Sequence, residues 1–368
     1  MNLAGTYRKY GTKILIIPTI AFIVFAYLAM VYPGISYGID FRGGVMVSFS
    51  SSQPIPADRI AERIRTELGV SDVSVTPTEI PGTGKYGGFV EVVYPEGISA
   101  DRNVVNTPVI TTENETNTPD TTEEFKKQIV QIIREEVPDA SDMVIRDVAP
   151  ALGATFWALA LNMLLWAVVL LKMVVLFAFR RKLPLTKVFG IVFLDIIIAA
   201  VLGLAMRQPA VALALILLDT LLLMRSSTDA TPTVIMLGSA VFDALGMLAL
   251  MALFRVPLTL QTMTILLMMV GYSIDTDIVL STHLLKRGKE EGDEYERAGR
   301  AADTGLHMSG TTLVSMLFIL GVGYLTRNPD VIRVGAVMIF GVLADMIITW
   351  LFNAPVMIAW VRKHASSA

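Results

Sequence analysis

The sequence predicts a polytopic α-helical membrane protein with one extracytoplasmic α+β domain of ferredoxin-like βαββαβ topology. An apolar segment lies near the start, a long block of apolar segments begins at residue 151, and the stretch between them reads like a soluble domain. Of the 368 residues, 54% are hydrophobic and 17% charged, which leaves too few polar residues to cover a soluble protein of this size. We divide the chain into an N-terminal transmembrane signal-anchor helix (1–33), an extracytoplasmic domain (34–150) and a transmembrane helical bundle of about seven further segments (151–368).

The first segment predicts the orientation of the chain. Arg8, Lys9 and Lys13 precede an apolar stretch that is longer than the core of a cleaved signal peptide, and no clear small-residue cleavage site follows it. Basic residues that flank a membrane helix stay in the cytoplasm. We therefore expect residues 34–150 outside the cell.

Residues 34–150 alternate between strand and helix patterns. We expect strands and helices in the order β-α-β-β-α-β, at 44–50, 56–68, 70–80, 89–94, 125–137 and 143–148. This order is the ferredoxin-like pattern, and an irregular α+β domain is the alternative. Residues 99–121 are rich in Asn, Thr, Pro and Glu and predict a mobile loop.

The remaining apolar segments must be helices, because backbone groups in lipid have to pair within the segment. They lie at about 153–179, 188–206, 209–224, 232–254, 258–284, 305–325 and 332–360. With the first helix they make eight, although 209–224 is short for a full crossing. Basic residues concentrate in alternate loops, which predicts a multi-pass protein of the cytoplasmic membrane, in contact with lipid and with both termini in the cytoplasm.

Several function classes are excluded or disfavoured. The chain has no cysteine, three scattered histidines, and no phosphate-binding loop, zinc motif or nucleophile elbow. We therefore expect no enzymatic activity, no cofactor and no metal site. No basic surface run suggests a nucleic-acid partner.

The motif GIDFRGG follows the first helix. Gly38, Gly43 and Gly44 let the chain turn tightly from the membrane into a strand. Asp40 and Arg42 are two residues apart on what we expect to be an extended segment, so they would share a face. From the residues alone we interpret the motif as a hinge with a surface ion pair.

The motif GYSIDTDIVLSTHLLKRG places two acids in an apolar helix. A carboxylate in hydrocarbon costs about 2.5–3.5 kcal/mol on the insertion scale, so it normally faces protein or water. Asp275 and Asp277 are about 200° apart around a helix, so we expect only one to face a polar interior. A stripe with Ser273 and Ser281 favours Asp277. A structural hydrogen bond is the alternative to a functional role.

The motif MSGTTLVSMLF supplies small and polar residues to a later helix. Ser309, Thr311 and Thr312 are candidates for hydrogen bonds between helices, and Gly310 would permit close approach. Simple helix packing is the alternative.

Taken together, GIDFRGG, GYSIDTDIVLSTHLLKRG and the SGTT helix resemble the SecF family of protein-export membrane proteins, in its archaeal form. The family belongs with the resistance-nodulation-division transporters. The resemblance implies an accessory role in protein export, with SecD, a SecYE-type translocation channel and, transiently, secretory preproteins as partners.

The resemblance also implies a membrane carboxylate in the helix that contains GYSIDTDI, with ion coupling left open. The family acid falls on Thr276, which here has acids on both sides, so Asp275, Asp277 and Thr276 are the ion-coupling candidates. A similar motif in SecD favours Asp275, which we prefer. The arginine of the bacterial relay falls on Thr304, and family members usually have six helices.

Two other functions fit the same features. A stand-alone proton-coupled transporter of the resistance-nodulation-division type usually carries two outer domains, whereas this chain has one and therefore resembles half of such a machine. A membrane-anchored assembly scaffold without ion flux is the third reading.

Overall fold

The computed structural model describes residues 3–80, 84–95, 121–148, 150–179, 183–226, 231–286, 292–326 and 328–365. The predicted loop at 99–121 lies outside the described residues, except for its last residue. Much of the basic loop sequence behind the predicted orientation, at 180–182 and 287–289, also lies outside them.

The N-terminal part is helical. Helix α1 (Leu3–Tyr10) continues through a 3₁₀ turn (Gly11–Leu15) into α2 (Ile16–Met30), and the single turn α3 (Ile39–Arg42) follows. The turn α3 occupies the segment that the sequence predicted to be extended.

The domain that follows has the predicted order of elements. They are β1 (Gly44–Ser51), α4 (Ala57–Leu68), β2 (Val73–Ile80), β3 (Lys85–Val93), α5 (Thr121–Glu136) and β4 (Ser141–Val148). The sheet order is β2-β3-β1-β4 and every neighbouring pair is antiparallel, which confirms the ferredoxin-like topology.

Alternate residues of the central strands pack against the two helices. The helices present apolar residues at a spacing of four, which puts them on one face. The buried core includes Val45, Val47, Val90, Val92, Ile60, Ile64, Ile129 and Ile133. Gly69 ends α4 with a φ of 64°, a left-handed conformation that favours glycine.

The described part of the bundle contains eight α-helices. They are α6 (Pro150–Phe179), α7 (Leu185–Ile198), α8 (Pro209–Ser226), α9 (Thr231–Leu253), α10 (Leu260–Ser281), α11 (Glu294–Leu325), α12 (Pro329–Ile348) and α13 (Ala354–Ala365). Short π-helical segments extend α7 (Ala199–Ala205) and α10 (Thr282–Lys286), and another joins α12 to α13 (Thr349–Asn353).

Within the described residues, seven helical spans are long and apolar enough to cross a membrane. The sequence predicted eight segments, and the segment that is not among the seven spans is 209–224. It does form a helix, α8, but its 18 residues extend only about 27 Å, slightly less than the hydrocarbon core of a bilayer.

Side-chain contacts define two ends of the bundle. At the domain end, Arg333 of α12 pairs with Glu91 of β3, and the ring of Trp157 on α6 lies 6.1 Å from that of Phe41. At the far end, one apolar cluster joins residues from six helices: Leu3, Phe179, Ile235, Leu284, Ala298 and Ile358. Because α6 ends and α9 begins at the far end, α7 and α8 form a hairpin that leaves the far end and returns to it.

Polar contacts fasten α1 to α11 at the far end. The Asp293 carboxylate accepts a hydrogen bond from the Glu296 N–H at 2.9 Å and pairs with Arg8. Burial alone would raise the pKa of the Asp293 carboxyl. The hydrogen bonds from Glu296 and Arg8 outweigh this effect, so the pKa lies below its ordinary value. The Tyr7 hydroxyl donates to the Trp350 carbonyl at 2.9 Å.

A glycine on α11 sets how closely the helices approach. A Cβ at Gly305 would lie 2.9 Å from Cη2 of the Trp350 indole and 3.3 Å from the Thr276 methyl. We predict that Gly305→Ala lowers the thermal unfolding midpoint of the purified protein, because overpacking of this kind costs about 1–3 kcal/mol. The measurement is thermal unfolding in detergent.

The matched control is Gly310→Ala on the same helix, where a Cβ would meet nothing within 4 Å. We expect Gly310→Ala to leave the midpoint unchanged or slightly higher, since alanine favours helix over glycine. Equal midpoints for the two variants would contradict the packing described here.

Candidate functional site

Three aspartates from three helices lie inside the bundle. Asp243 on α9, Asp277 on α10 and Asp345 on α12 are 4%, 0% and 1% exposed. Each has polar neighbours one helical turn away on its own helix, so that three polar stripes meet. The stripes are Ser239 and Asp243, then Ser273, Asp277 and Ser281, then Asp345, Thr349 and Asn353.

Hydroxyl and amide donors connect the acids. Asn353 donates through its amide to Asp277, and Ser273 donates to Asp243. The Thr349 hydroxyl lies 3.2 Å from Asp277 Oδ1 and 3.0 Å from Asp345 Oδ1. A hydroxyl has one proton to donate, so Thr349 can serve only one of these two carboxylates at a time. The network therefore has two arrangements of donors.

The three aspartates, which we call the acidic cluster, have no compensating base in the described part of the chain. Among the described residues, the structure gives none of the three carboxylates an ion pair, and Asp243 Oδ1 and Asp277 Oδ2 have no hydrogen-bond partner. Three ionised carboxylates buried together without cations are not stable in a low-dielectric interior. The arrangement can therefore bind protons, which neutralise the carboxylates and supply the missing donors.

The two acids of GYSIDTDI point in different directions. Asp277 is buried in the cluster, whereas Asp275 is exposed on the outer face of α10. Thr276 is also buried and donates to Asp345 Oδ2 at 3.3 Å. The structure thus places Asp277 and Thr276 inside this chain, and Asp275, which the sequence analysis preferred, on its surface.

The SGTT helix joins its neighbours through one of its three candidate residues. The Tyr272 hydroxyl on α10 lies 3.4 Å from the Ser309 hydroxyl, which is fully buried. Thr311 and Thr312 instead donate to carbonyls of their own helix, at Met308, so the prediction of bonds between helices is wrong for these two. Gly310 is also not a point of close approach, and Gly305 takes that role.

The motif GIDFRGG fastens the domain to the bundle. Asp40 is buried and accepts a hydrogen bond from the Leu260 N–H, at the start of α10, at 3.0 Å. Arg42 pairs with Asp72 on the surface. The predicted pair between Asp40 and Arg42 is wrong, because in the single turn α3 the two residues are about 200° apart.

The three glycines of the motif are required by their surroundings. The Gly38 N–H donates to the Leu258 carbonyl at 2.8 Å, and a Cβ at Gly38 would lie 2.7 Å from the Thr259 methyl. Gly43 has a φ of 81°, a left-handed conformation. A Cβ at Gly44 would overlap the Val92 carbonyl oxygen. These contacts support the predicted tight hinge between membrane and strand.

A second attachment joins the domain to α12. The Arg333 guanidinium donates to both oxygens of Glu91, at 3.1 and 3.3 Å, and both side chains are 16% exposed. Bidentate pairs of this kind fix orientation as well as distance. The domain is therefore fastened to α10 and to α12, the helices that carry Asp277 and Asp345.

Sequence reasoning did not rank Asp243 or Asp345 and missed Thr349 and Asn353. A signal was available, because a polar residue recurs every four positions from Asp345 to Asn353 within an apolar segment. The sequence contained no local signal for the contact between Asp40 and Leu260 of α10, since the two residues are 220 positions apart.

These features define a polytopic α-helical membrane protein, in which a helical bundle encloses titratable carboxylates and carries a ferredoxin-like domain at one end. Residues 203–363 match the C-terminal family model of the protein-export membrane proteins SecD and SecF, and residues 31–55 match the SecD/SecF GG motif. The chain belongs to the SecF family of protein-export membrane proteins.

Relatives with this family name match along the chain. The protein-export membrane protein SecF of Methanopyrus kandleri is 29% identical over 368 residues, which is 98% of each chain. That of Methanothermobacter thermautotrophicus is 39% identical over 127 residues, 34% of this chain and 44% of the relative.

One solved structure shares the fold. The crystal structure of SecDF from Thermus thermophilus, described as a translocon-associated membrane protein, has a TM-score of 0.53 and 17% identity. The match covers all of this chain and 39% of that one, so this chain spans about two fifths of the SecDF chain.

We predict that Asp40→Ala destabilises the start of α10. The lost acceptor leaves the Leu260 N–H unpaired at a helix start, which costs about 1 kcal/mol. Hydrogen exchange of the amides around residue 260, measured on the full chain in nanodiscs, should become faster.

The matched control is Arg42→Ala in the same turn. It removes an exposed ion pair with Asp72, which contributes about 0–1 kcal/mol, and should leave exchange at α10 unchanged. Faster exchange in both variants, or in neither, would contradict a specific role for Asp40.

Proposed function

We propose that this chain is a non-enzymatic accessory subunit of the Sec protein-translocation machinery, which pairs with SecD and assists protein export across the cytoplasmic membrane. The observation that carries the proposal is its similarity to SecF relatives over nearly their whole length. One outer domain and one GYSIDTDI motif make this chain half of a larger assembly, which disfavours a stand-alone transporter. A SecYE-type channel, transient secretory preproteins and membrane lipid complete the proposed surroundings.

The exposed polar groups of α10 and α11 support a partner within the membrane. Asp275, Asp303 and His307 are exposed on these adjacent helices. The contact between Tyr272 and Ser309 fixes the antiparallel register, which places Asp275 and His307 at about the same depth. A carboxylate that faces lipid costs about 2.5–3.5 kcal/mol. We propose that SecD covers Asp275.

The proposed orientation places the sheet domain outside the cell and the far end in the cytoplasm. The basic residues before α2 support it. The hairpin of α7 and α8 returns to the far end, so α8 counts as a crossing and both termini lie on the same side. The chain then crosses the membrane eight times, one helix pair more than the usual six of the family.

The orientation can be tested because the natural chain has no cysteine. We predict that a cysteine at Glu124, on the exposed face of α5, reacts with an impermeant thiol reagent in intact cells. A cysteine at the exposed Lys363 should react only after the cells are opened. Labelling of both sites in intact cells would contradict the even number of crossings, and the reverse pattern would overturn the orientation.

We propose that the acidic cluster is the ion-coupling site. Asp277 lies at its centre, and Thr276 donates a hydrogen bond to Asp345. Asp277 is fully buried, shares the Thr349 hydroxyl with Asp345, and lies on a helix that is fastened to the outer domain. Proton binding at Asp277 would change which carboxylate Thr349 serves. Such a change can reach the domain through α10 and α12.

We predict that Asp275→Asn and Asp277→Asn have different effects. Asp277→Asn removes a buried charge that the proposed coupling needs, so export of a secretory protein should slow about tenfold while SecD still co-purifies. Asp275→Asn removes a charge from the proposed partner surface, so it should lower the yield of co-purified SecD. The measurements are pulse-chase export in cells and affinity purification from the same membranes.

Normal export by both variants would refute ion coupling through these acids. If only the Asp277 variant failed to co-purify SecD, the roles proposed for Asp275 and Asp277 would have to be exchanged. The control is Asp139→Asn, whose acid lies in the sheet domain and hydrogen-bonds to Ser51. It should change neither measurement, and failure of the wild-type chain to co-purify SecD would overturn the proposed pairing itself.

A further inference from the structure

A second set of charged residues lies inside the bundle, apart from the acidic cluster. Lys172 of α6 lies 2.8 Å and 3.1 Å from the two carboxylate oxygens of Asp195 on α7, and 2.6 Å from an oxygen of Asp219 on α8. The side chains of Lys172 and Asp195 are 0% and 1% exposed, and that of Asp219 is 33% exposed. We call these three residues the lysine triad.

Apolar side chains enclose the lysine triad on both sides along the helices. Towards the domain end it is covered by Leu165, Val169, Ala199, Ala212 and Ile216. Towards the far end it is covered by Leu176, Val188 and Val192. The triad is therefore held in a low-dielectric layer, where an uncompensated charge is strongly disfavoured.

The charge of the triad does not balance when all three groups are ionised. One ammonium and two carboxylates leave one negative charge in the apolar layer. Lys172 donates hydrogen bonds to Asp195 Oδ1 and Asp219 Oδ2, whereas Asp195 Oδ2 lies 2.8 Å from the ammonium without a hydrogen-bond partner among the described residues. The remaining negative charge requires one additional cation, and a proton on a carboxylate is the smallest.

Among the described residues, the other charged groups of the surrounding helices do not supply this compensation. On α7, Lys187 precedes Asp195 by eight residues, about 12 Å along the axis, and on α8, Arg225 follows Asp219 by six, about 9 Å. On α9, Asp243 bonds to Ser273, and on α10, Asp277 bonds to Asn353 while Asp275 is exposed. At the domain end, Asp40 of α3 bonds to Leu260.

We propose that the lysine triad is a second proton-binding site in the membrane, which holds one proton beside Lys172. Both oxygens of Asp195 lie within 3.1 Å of the Lys172 ammonium, so Asp195 is the ionised partner. Asp219 contacts the ammonium through one oxygen, so it holds the proton.

The proposed site is separate from the ion-coupling site and does not depend on it. The triad is built on α6, α7 and α8, whereas the acidic cluster is built on α9, α10, α12 and the π-helical segment after α12. No helix contributes a charged group to both.

Infrared spectroscopy of the full chain in lipid nanodiscs at neutral pH tests the proton count. The spectrum of wild type minus Asp219→Asn should contain the C=O stretching band of one protonated carboxyl. The difference against Asp195→Asn should contain the same band, because the remaining Asp219 then pairs with Lys172 and gives up its proton. Two difference spectra without this band would overturn the proposal.

Stability provides a second measurement that tolerates loss of a single acid. Asp195→Asn and Asp219→Asn should each fold, because one carboxylate suffices to neutralise Lys172. The double variant leaves the buried ammonium without a countercharge and should lose folded protein on gel filtration. Adding Lys172→Met to the double variant should restore it. Failure of both single variants while the triple variant folds would show that both acids are needed as charges, and would overturn the proposal.

Discussion

Charge in a medium that cannot solvate it is the constraint on which this structure depends. A single carboxylate in hydrocarbon costs about 2.5–3.5 kcal/mol, and the bundle buries several. The helices are arranged so that each buried acid meets a hydroxyl, an amide or an ammonium on another helix. Helix association in lipid gains little from the hydrophobic effect, so these polar contacts and the close approach at Gly305 select which helices pack together.

The same helices connect the membrane interior to the domain. The carboxylate of Asp40 accepts a hydrogen bond from the start of α10, and the guanidinium of Arg333 donates to Glu91 of β3. Both contacts are largely shielded from water, and hydrogen bonds and ion pairs are stronger in such surroundings than in water. Because Asp277 and Asp345 lie on the same continuous helices as these two contacts, no flexible linker separates them from the domain.

Local sequence patterns predicted most of the fold but only part of the candidate site. The strands and helices of the domain and the apolar segments follow from periodicity and length, which are properties of neighbouring residues. The turn at Asp40 differs from its prediction because its partner lies 220 positions away. A helical wheel shows that Asp275 and Asp277 face apart, but not which of them faces Thr349 and Asn353. Thr311 and Thr312 bond to their own helix, which composition alone does not distinguish from bonds across helices.

The position of α1 has a consequence for biosynthesis. Tyr7 bonds to the carbonyl of Trp350, and Arg8 pairs with Asp293, so α1 contacts residues that are translated 343 and 285 positions later. Trp350 is translated only after helices α2 to α12 have been translated. Until then the Tyr7 hydroxyl lacks the acceptor that it has in the folded chain. The contact between α1 and the segment after α12 therefore forms only after all the helices between them have been translated.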